Sequence, residues 1–255
     1  MRKIKYTRRL FSKLSSFAIF GIGSLVLALC VFPILHLLSG FSSVRFRRLA
    51  RKFIQKSFAV FLKYMEISGC IKLSVKNREL LKGVKSSIIF ANHPSLIDIV
   101  ILISLVPNAD CIVKGSLVDN KFISAIIRNL YIPNTKPFNE QLDIAERSMK
   151  EGNNLIIFPE GTRSKPDSPW IFKKGAARFA LFAKADCIPI FYGGNEKIGF
   201  RKVDSVWSIH PTEVLDYRLK VLPKISVVPY LDMSMSIGAI RLTNAMRESL
   251  QTQIT

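Results

Sequence analysis

Two short apolar runs, Ser87-Ile88-Ile89-Phe90 and Asn154-Leu155-Ile156-Ile157, each lead directly into a polar cluster, and this arrangement restricts the chain to folds whose strand ends carry chemistry. The first cluster reads Asn92-His93-Pro94-Ser95-Leu96-Ile97-Asp98 and the second Phe158-Pro159-Glu160-Gly161-Thr162-Arg163-Ser164. Polar side chains placed this way lie at the carboxyl ends of strands, where open α/β sheets build their sites. From Cys70 onward, short apolar runs alternate with helix-periodic segments, which is the α/β pattern. Strands are expected at 71–75, 87–91, 110–114, 129–132, 154–158, 188–192 and 224–230. Helices are expected at 95–105, 119–128, 140–151, 175–185 and 236–251. The fold class is therefore α/β: a mixed, mostly parallel sheet flanked by helices, preceded by an apolar and amphipathic helical membrane anchor.

The anchor follows from how charge and hydropathy are distributed. A net charge of +20 invites a nucleic-acid reading, but residues 1–65 hold thirteen Lys or Arg and no Asp or Glu, so the excess sits beside the most apolar run. Basic residues flanking apolar surface suit anionic lipid headgroups. No nucleic-acid-reading module accompanies them. Residues 16–38 are long enough for a spanning helix of about 20 residues. Signal-peptide cleavage after the basic stretch of Arg2, Lys3, Lys5, Arg8, Arg9 and Lys13 is disfavoured, because Leu29 stands before Cys30 where a lipoprotein site needs a small residue and no convincing small-x-small site follows. Residues 44–65 repeat apolar side chains at helical spacing, with Arg45, Arg47, Arg48, Arg51, Lys52, Lys56 and Lys63 mostly on the other side. Basic residues on both flanks of the apolar run oppose a single crossing. A hairpin turning near Pro33 or Ser39-Gly40 is expected instead, giving an anchor over 1–66 and a second unit over 67–255. Cys30, Cys70, Cys111 and Cys187 have no paired spacing and read as free thiols in a reducing compartment.

The chemistry centres on His93 and Asp98. An imidazole titrates near neutrality and suits general-base work, and a carboxylate five residues on can orient the ring and stabilise its protonated form. Pro94-Ser95 is expected to start a helix, with Ser95 as its cap and Asp98 one turn in. The backbone N–H groups there are candidates to receive an oxyanion or a phosphate. No nucleophile elbow is present, which favours direct attack by an acceptor hydroxyl without an acyl-enzyme.

His93-x4-Asp98 together with Phe158-Pro159-Glu160-Gly161-Thr162-Arg163-Ser164, and the later run Cys187-Ile188-Pro189-Ile190, resembles the lysophospholipid acyltransferases over roughly residues 85–195. The resemblance implies transfer of a fatty acyl group from acyl-CoA or acyl carrier protein to a lysophospholipid-like acceptor, most simply 1-acyl-glycerol-3-phosphate. It implies no cofactor and no metal, membrane phospholipid as partner, and a place on the cytoplasmic face of the inner (plasma) membrane. It makes 67–255 the acyltransferase domain. His93 and Asp98 become catalytic, and Glu160, Gly161, Thr162 and Arg163, with Asn92 at the head of the first motif, become substrate contacts. The guanidinium of Arg163 suits a phosphate, and Gly161 lets backbone approach. Where the family carries a phosphate-binding arginine between its motifs, this chain has Thr135, followed by Lys136. That departure opens an alternative, an O-acyltransferase acting on another hydroxylated lipid such as a lyso-aminolipid or a glycolipid. A non-catalytic membrane or anionic-ligand binder is the contrasting class and requires His93 and Glu160 to tolerate substitution. The segment around Asp204 and Trp207 carries no readable pattern.

Overall fold

The structure is a computed structural model that describes residues 2–164 and 169–254; the side chains of Arg2, Lys3 and Lys5, used in the charge argument, lie outside the described residues. Seven strands form one sheet: β1 (Ile71–Lys76), β2 (Ile88–Ala91), β3 (Ala109–Val113), β4 (Ile132–Pro133), β5 (Asn154–Ile157), β6 (Cys187–Gly193) and β7 (Leu215–Val221). Their order is β1-β7-β6-β2-β5-β3-β4, and every pairing is parallel except β6 with β7. The mixed, mostly parallel sheet is as expected. Helices α4 (Asp98–Leu105), α5 (Ser124–Leu130), α6 (Phe138–Lys150), α7 (Gly175–Ala183) and α8 (Met235–Gln251) connect or follow the strands.

Strand alternation divides the core between the two faces. Ile89, Ala91, Ile156, Ile188 and Ile190 pack with the N-terminal helices and α4, whereas Ile88, Phe90, Leu155, Ile157 and Cys187 pack with α6, α7 and α8. Both faces are covered, so β2 and β5 are buried at every position and read as continuous apolar runs.

Three expectations need correction. The strand expected at 224–230 is a turn region in which Ile225 makes one isolated bridge to Cys187, because Pro223 and Pro229 bracket the run and cannot donate to a ladder. The strand actually formed is β7, where Leu215, Tyr217, Leu219 and Val221 point inward and the polar residues between them point outward. The expected strand at 129–132 shrinks to the two residues of β4, because Ile126, Ile127 and Leu130 are buried from a helical turn that runs through Leu130. The helix after His93 starts at Asp98, not Ser95.

Preceding the sheet, α1 (Arg2–Val26) continues through a π-helical turn at Leu27–Val31 into α2 (Phe32–Leu38), and the chain turns back into α3 (Ser43–Ile67). Gly40 and Phe41 take left-handed φ of 59° and 61° to close this turn, and the Ser42 side chain caps α3 by accepting from Arg45 N. The result is an antiparallel helical hairpin. Ser15 Oγ meets Tyr64 Oη at 2.6 Å, Phe20 packs on Phe58 and Phe61, and Phe32 packs edge-on to Phe46. Residues Tyr6–Leu38 are long and apolar enough to cross a membrane, and only 17% of that apolar window is buried. α3 also packs along α4 and the core, through buried Phe46, Ala50, Ile54, Phe58, Leu62 and Met65.

Not all the basic residues face outward. Arg51 is buried on α3 and pairs with buried Asp110 of β3, Nη2 to Oδ1 at 2.6 Å. Arg9 donates to the carbonyls of Pro211 (2.8 Å) and Glu213, and Lys13 to those of Ser208 (2.7 Å) and Ser205 (3.3 Å).

Candidate active site

Strand order explains why the two motifs meet. β2 lies between β5 and β6, with Phe90 opposite Ile157 and Ala91 opposite Ile190, so the residues leaving all three strands converge at one carboxyl end. His93 follows β2, Phe158 to Ser164 follow β5, and Tyr192 is the last residue but one of β6.

His93 Nδ1 donates to Asp98 Oδ2 at 2.8 Å, and Asp98 is fully buried. The same carboxylate accepts from Ser95 N at 2.6 Å and from Ser95 Oγ. Asp98 is thus the first residue of α4, not a residue one turn in, and Ser95 is held by the carboxylate instead of capping the helix. Because Ser95 N is spent on Asp98, it is not free to receive an oxyanion. Tyr217 Oη donates to Ser95 Oγ at 2.8 Å and Tyr192 Oη to the Asp98 carbonyl at 2.7 Å, both from fully buried or nearly buried rings. The imidazole stacks on Phe158, centroids 3.9 Å apart with 13° between planes. With the side chain 18% exposed, one edge remains reachable, and Nε2 has no hydrogen bond among the described residues.

The second motif grips the backbone of the first. Glu160 Oε1 accepts from His93 N (3.0 Å) and Ser164 Oγ (2.7 Å), while Ser164 N donates to the His93 carbonyl at 2.7 Å. Burial pushes the Glu160 carboxyl above its usual range, against the pull of the hydrogen bonds from Ser164 and His93 N. Glu160 therefore fixes the histidine peptide through Oε1. Asn92 is also committed inward: its amide donates to the Tyr192 carbonyl (3.0 Å) and its carbonyl accepts from Tyr192 N (2.8 Å). Asn92, expected as a substrate contact, clamps β2 to β6 with both ends of its amide while it also lines a cleft where those strands end.

Gly161 takes a φ of 69°, and a Cβ there would meet Lys173 Nζ at 3.1 Å, so the lysine ammonium lies over the glycine backbone. Exposed Thr162 accepts from Lys202 Nζ at 3.3 Å. Arg163 donates one N–H to the Phe200 carbonyl at 3.2 Å. The cleft at the ends of β2 and β6, of about 210 Å³, is lined by Asn92, Pro94, Ser164, Trp170, Lys197 and Arg201. Thr135 packs on Gly115, where a Cβ would fall 2.0 Å from its methyl, and Lys136 is paired with Glu140. The cations on or against the second motif are thus Arg163, Lys173 and Lys202, and those lining the cleft are Lys197 and Arg201. Sequence reasoning missed Tyr192, Tyr217 and Lys197, whose relation to the site exists only once β6 and β7 are placed. Among the described residues no cluster of His, Cys, Asp and Glu is arranged to hold a metal, and the four cysteines are free.

The Acyltransferase family model matches residues 72–193. A 1-acyl-sn-glycerol-3-phosphate acyltransferase of Bacillus subtilis is 28% identical over 148 residues, 56% of this chain and 71% of that one. The human 1-acyl-sn-glycerol-3-phosphate acyltransferase beta is 26% identical over 132 residues, 48% of this chain and 46% of that one, so the chain spans about half the length of this relative. Among solved structures, the 1-acyl-sn-glycerophosphate acyltransferase PlsC of Thermotoga maritima shares the fold with a TM-score of 0.70 over 97% of both chains, at 22% identity. Across both motifs the chain is thus similar in sequence to acyltransferases, and over nearly its whole length it shares the fold of one.

Proposed function

We propose that this enzyme transfers a fatty acyl group from an acyl-CoA or acyl carrier protein thioester to the hydroxyl of a lysophospholipid, 1-acyl-glycerol-3-phosphate, yielding phosphatidate. The observation that carries this reading is the His93–Asp98 pair at 2.8 Å, with Nδ1 occupied and Nε2 without a hydrogen bond among the described residues. His93 Nε2 takes the proton of the acceptor hydroxyl as its oxygen attacks the thioester carbonyl. The tetrahedral intermediate collapses with cleavage of the C–S bond, and the departing thiolate takes the proton back from the imidazolium. Asp98 holds the ring in the required tautomer and offsets its charge. Arg163, with Lys173 and Lys202 nearby, meets the acceptor phosphate, the guanidinium through its fork of donors. Glu160 and Asn92 contribute by holding the strand ends together.

A second reading has its own observation. Thr135 is packed on Gly115 and Lys136 is paired with Glu140, so the position at which the family carries its arginine offers no uncommitted cation, and an acceptor without a phosphomonoester is the alternative this favours.

The hairpin gives the enzyme its place on the membrane. α3 is tied to the sheet by Arg51–Asp110 and α1 to the loop before β7 by Arg9 and Lys13, so the hairpin lies along the domain instead of projecting from it. Its register also sets Arg45–Arg48 near the turn and Arg8, Arg9 and Lys13 at the open end. A hairpin dipping end-on would bury the charges at the turn, whereas one lying along the cytoplasmic surface keeps exposed Arg8, Arg45, Arg47 and Arg48 among headgroups while Arg9 and Lys13 stay on their carbonyls.

The test offers purified protein in liposomes a panel of acceptors with labelled acyl-CoA and acyl carrier protein thioesters. Transfer to lysophosphatidate above phosphate-free acceptors is expected, and a preference for the latter would select the second reading. His93→Ala is expected to lose at least about 10²-fold in turnover while still folding and floating with vesicles; near-normal turnover would end the general-base mechanism.

A further inference from the structure

The segment joining β6 to β7 exposes three large apolar side chains within five residues: Val203 at 77%, Val206 at 54% and Trp207 at 67%. The loop is internally fixed. Asp204 accepts from Gly199 N and Arg201 N, and Arg201 is neutralised between Asp204 and Glu196. Lys13 of α1 holds the carbonyls of Ser205 and Ser208 on either side of the exposed pair, and Phe200 is buried against Phe17 of α1, centroids 5.7 Å apart. On its other side the Phe200 carbonyl accepts from Leu96 N at 2.9 Å and from Arg163, which belong to the two site motifs.

We propose that this loop is a bilayer-contacting surface, with Val203, Val206 and Trp207 seated in the interfacial layer of the phospholipid leaflet that receives the hairpin, at the mouth of the site. Continuity selects lipid as the occupant. The loop is fastened to α1, and between its two fastening residues, Arg9 and Lys13, α1 exposes Phe11 at 71%. Tryptophan favours the membrane–water boundary, where its ring is desolvated and its N–H stays paired. Lys202, the next residue but one to Phe200, adds a cation at headgroup level. The proposal rests on membrane attachment of the hairpin and is independent of the acyl-transfer chemistry.

The chain has two tryptophans, so Trp170→Phe leaves Trp207 as the single indole reporter in the full-length protein. Flotation with vesicles of anionic phospholipid first establishes attachment. In the bound protein, Trp207 emission is expected to move to the blue and be roughly halved by brominated phospholipid, shallow bromines quenching more than deep ones, as an interfacial position requires. The difference in emission between wild type and Trp207→Phe gives the same signal without altering Trp170. Failure to float overturns both the hairpin and the loop. Flotation with Trp207 unquenched and open to an aqueous quencher overturns the loop alone, as does shielding that follows protein concentration in detergent, which would assign the patch to a second copy.

Discussion

His93 is held at its backbone by Glu160 and Ser164, at its face by Phe158 and at Nδ1 by Asp98, so of its ring nitrogens Nε2 alone is uncommitted among the described residues, and the proposed proton transfer falls to that atom. Asp98 is in turn held by Ser95, and Ser95 Oγ by the buried hydroxyl of Tyr217. A chain of hydrogen bonds therefore runs from β7 to the imidazole without touching the cleft. Tyr217→Phe removes its outer member and no substrate contact. The expected result is a fall in kcat of about tenfold, the equivalent of about 1.4 kcal/mol and one ordinary hydrogen bond. KM for both substrates should stay unchanged, because the lost interaction serves the transition state and not binding. Steady-state kinetics on the reconstituted variant check this, and a KM that rose while kcat held would place Tyr217 in binding instead. The His93–Asp98 pair and the glutamate motif were legible in the sequence, because both follow strands directly. Tyr217 was not, since its distance along the chain from Ser95 is closed only by the sheet.

Among the elements, α3 is where amphipathic pattern and packing part ways. By spacing its basic residues form a polar side, yet Arg51 is buried against Asp110, which also accepts from Ser148 of α6. Burial raises the Asp110 carboxyl above its usual range, and Arg51 is the main counterweight. Arg51→Ala strands that carboxylate and is expected to cost about 3–5 kcal/mol, while replacing both partners by apolar residues of similar volume recovers most of the loss. Unfolding in detergent micelles distinguishes them: equal destabilisation by single and double replacement would mean that the pair contributes only its packing volume. No sequence pattern separates Arg51 from Arg47 or Arg48, because the partner sits on a strand that α3 reaches only in the folded chain.

For the molecule as a whole, Lys197 links the turn after β6 to β7. Its ammonium donates to the carbonyls of Gly193 (3.1 Å), Asp216 (2.8 Å) and Asn195, and lies 4.8 Å from the Tyr217 ring. Burial lowers its pKa to about 8, against the pull of Asp98 and Asp216, with Arg218 adding to the decrease. An unfolded lysine titrates near 10.4, so between about pH 8 and about 10.4 the unfolded chain binds more protons than the folded one, and stability from this group rises with pH. The difference in unfolding free energy between wild type and Lys197→Met is accordingly expected to grow in favour of wild type across that window. A difference independent of pH would mean that Lys197 keeps its ordinary pKa in the fold.

By itself the sequence determined the alternation of strand and helix, the apolar and basic N-terminal hairpin, and the two motifs at strand ends, because periodicity, charge and punctuation act over a few neighbouring residues. Tertiary structure alone decided the rest. It chose β7 over the proline-bracketed run that follows, turned Asn92 and Glu160 inward, buried Arg9, Lys13 and Arg51, and set the loop carrying Trp207 between α1 and the site. Each of those outcomes depends on partners far away along the chain, whose proximity arises only when strand order brings β5, β6 and β7 around β2 and β1.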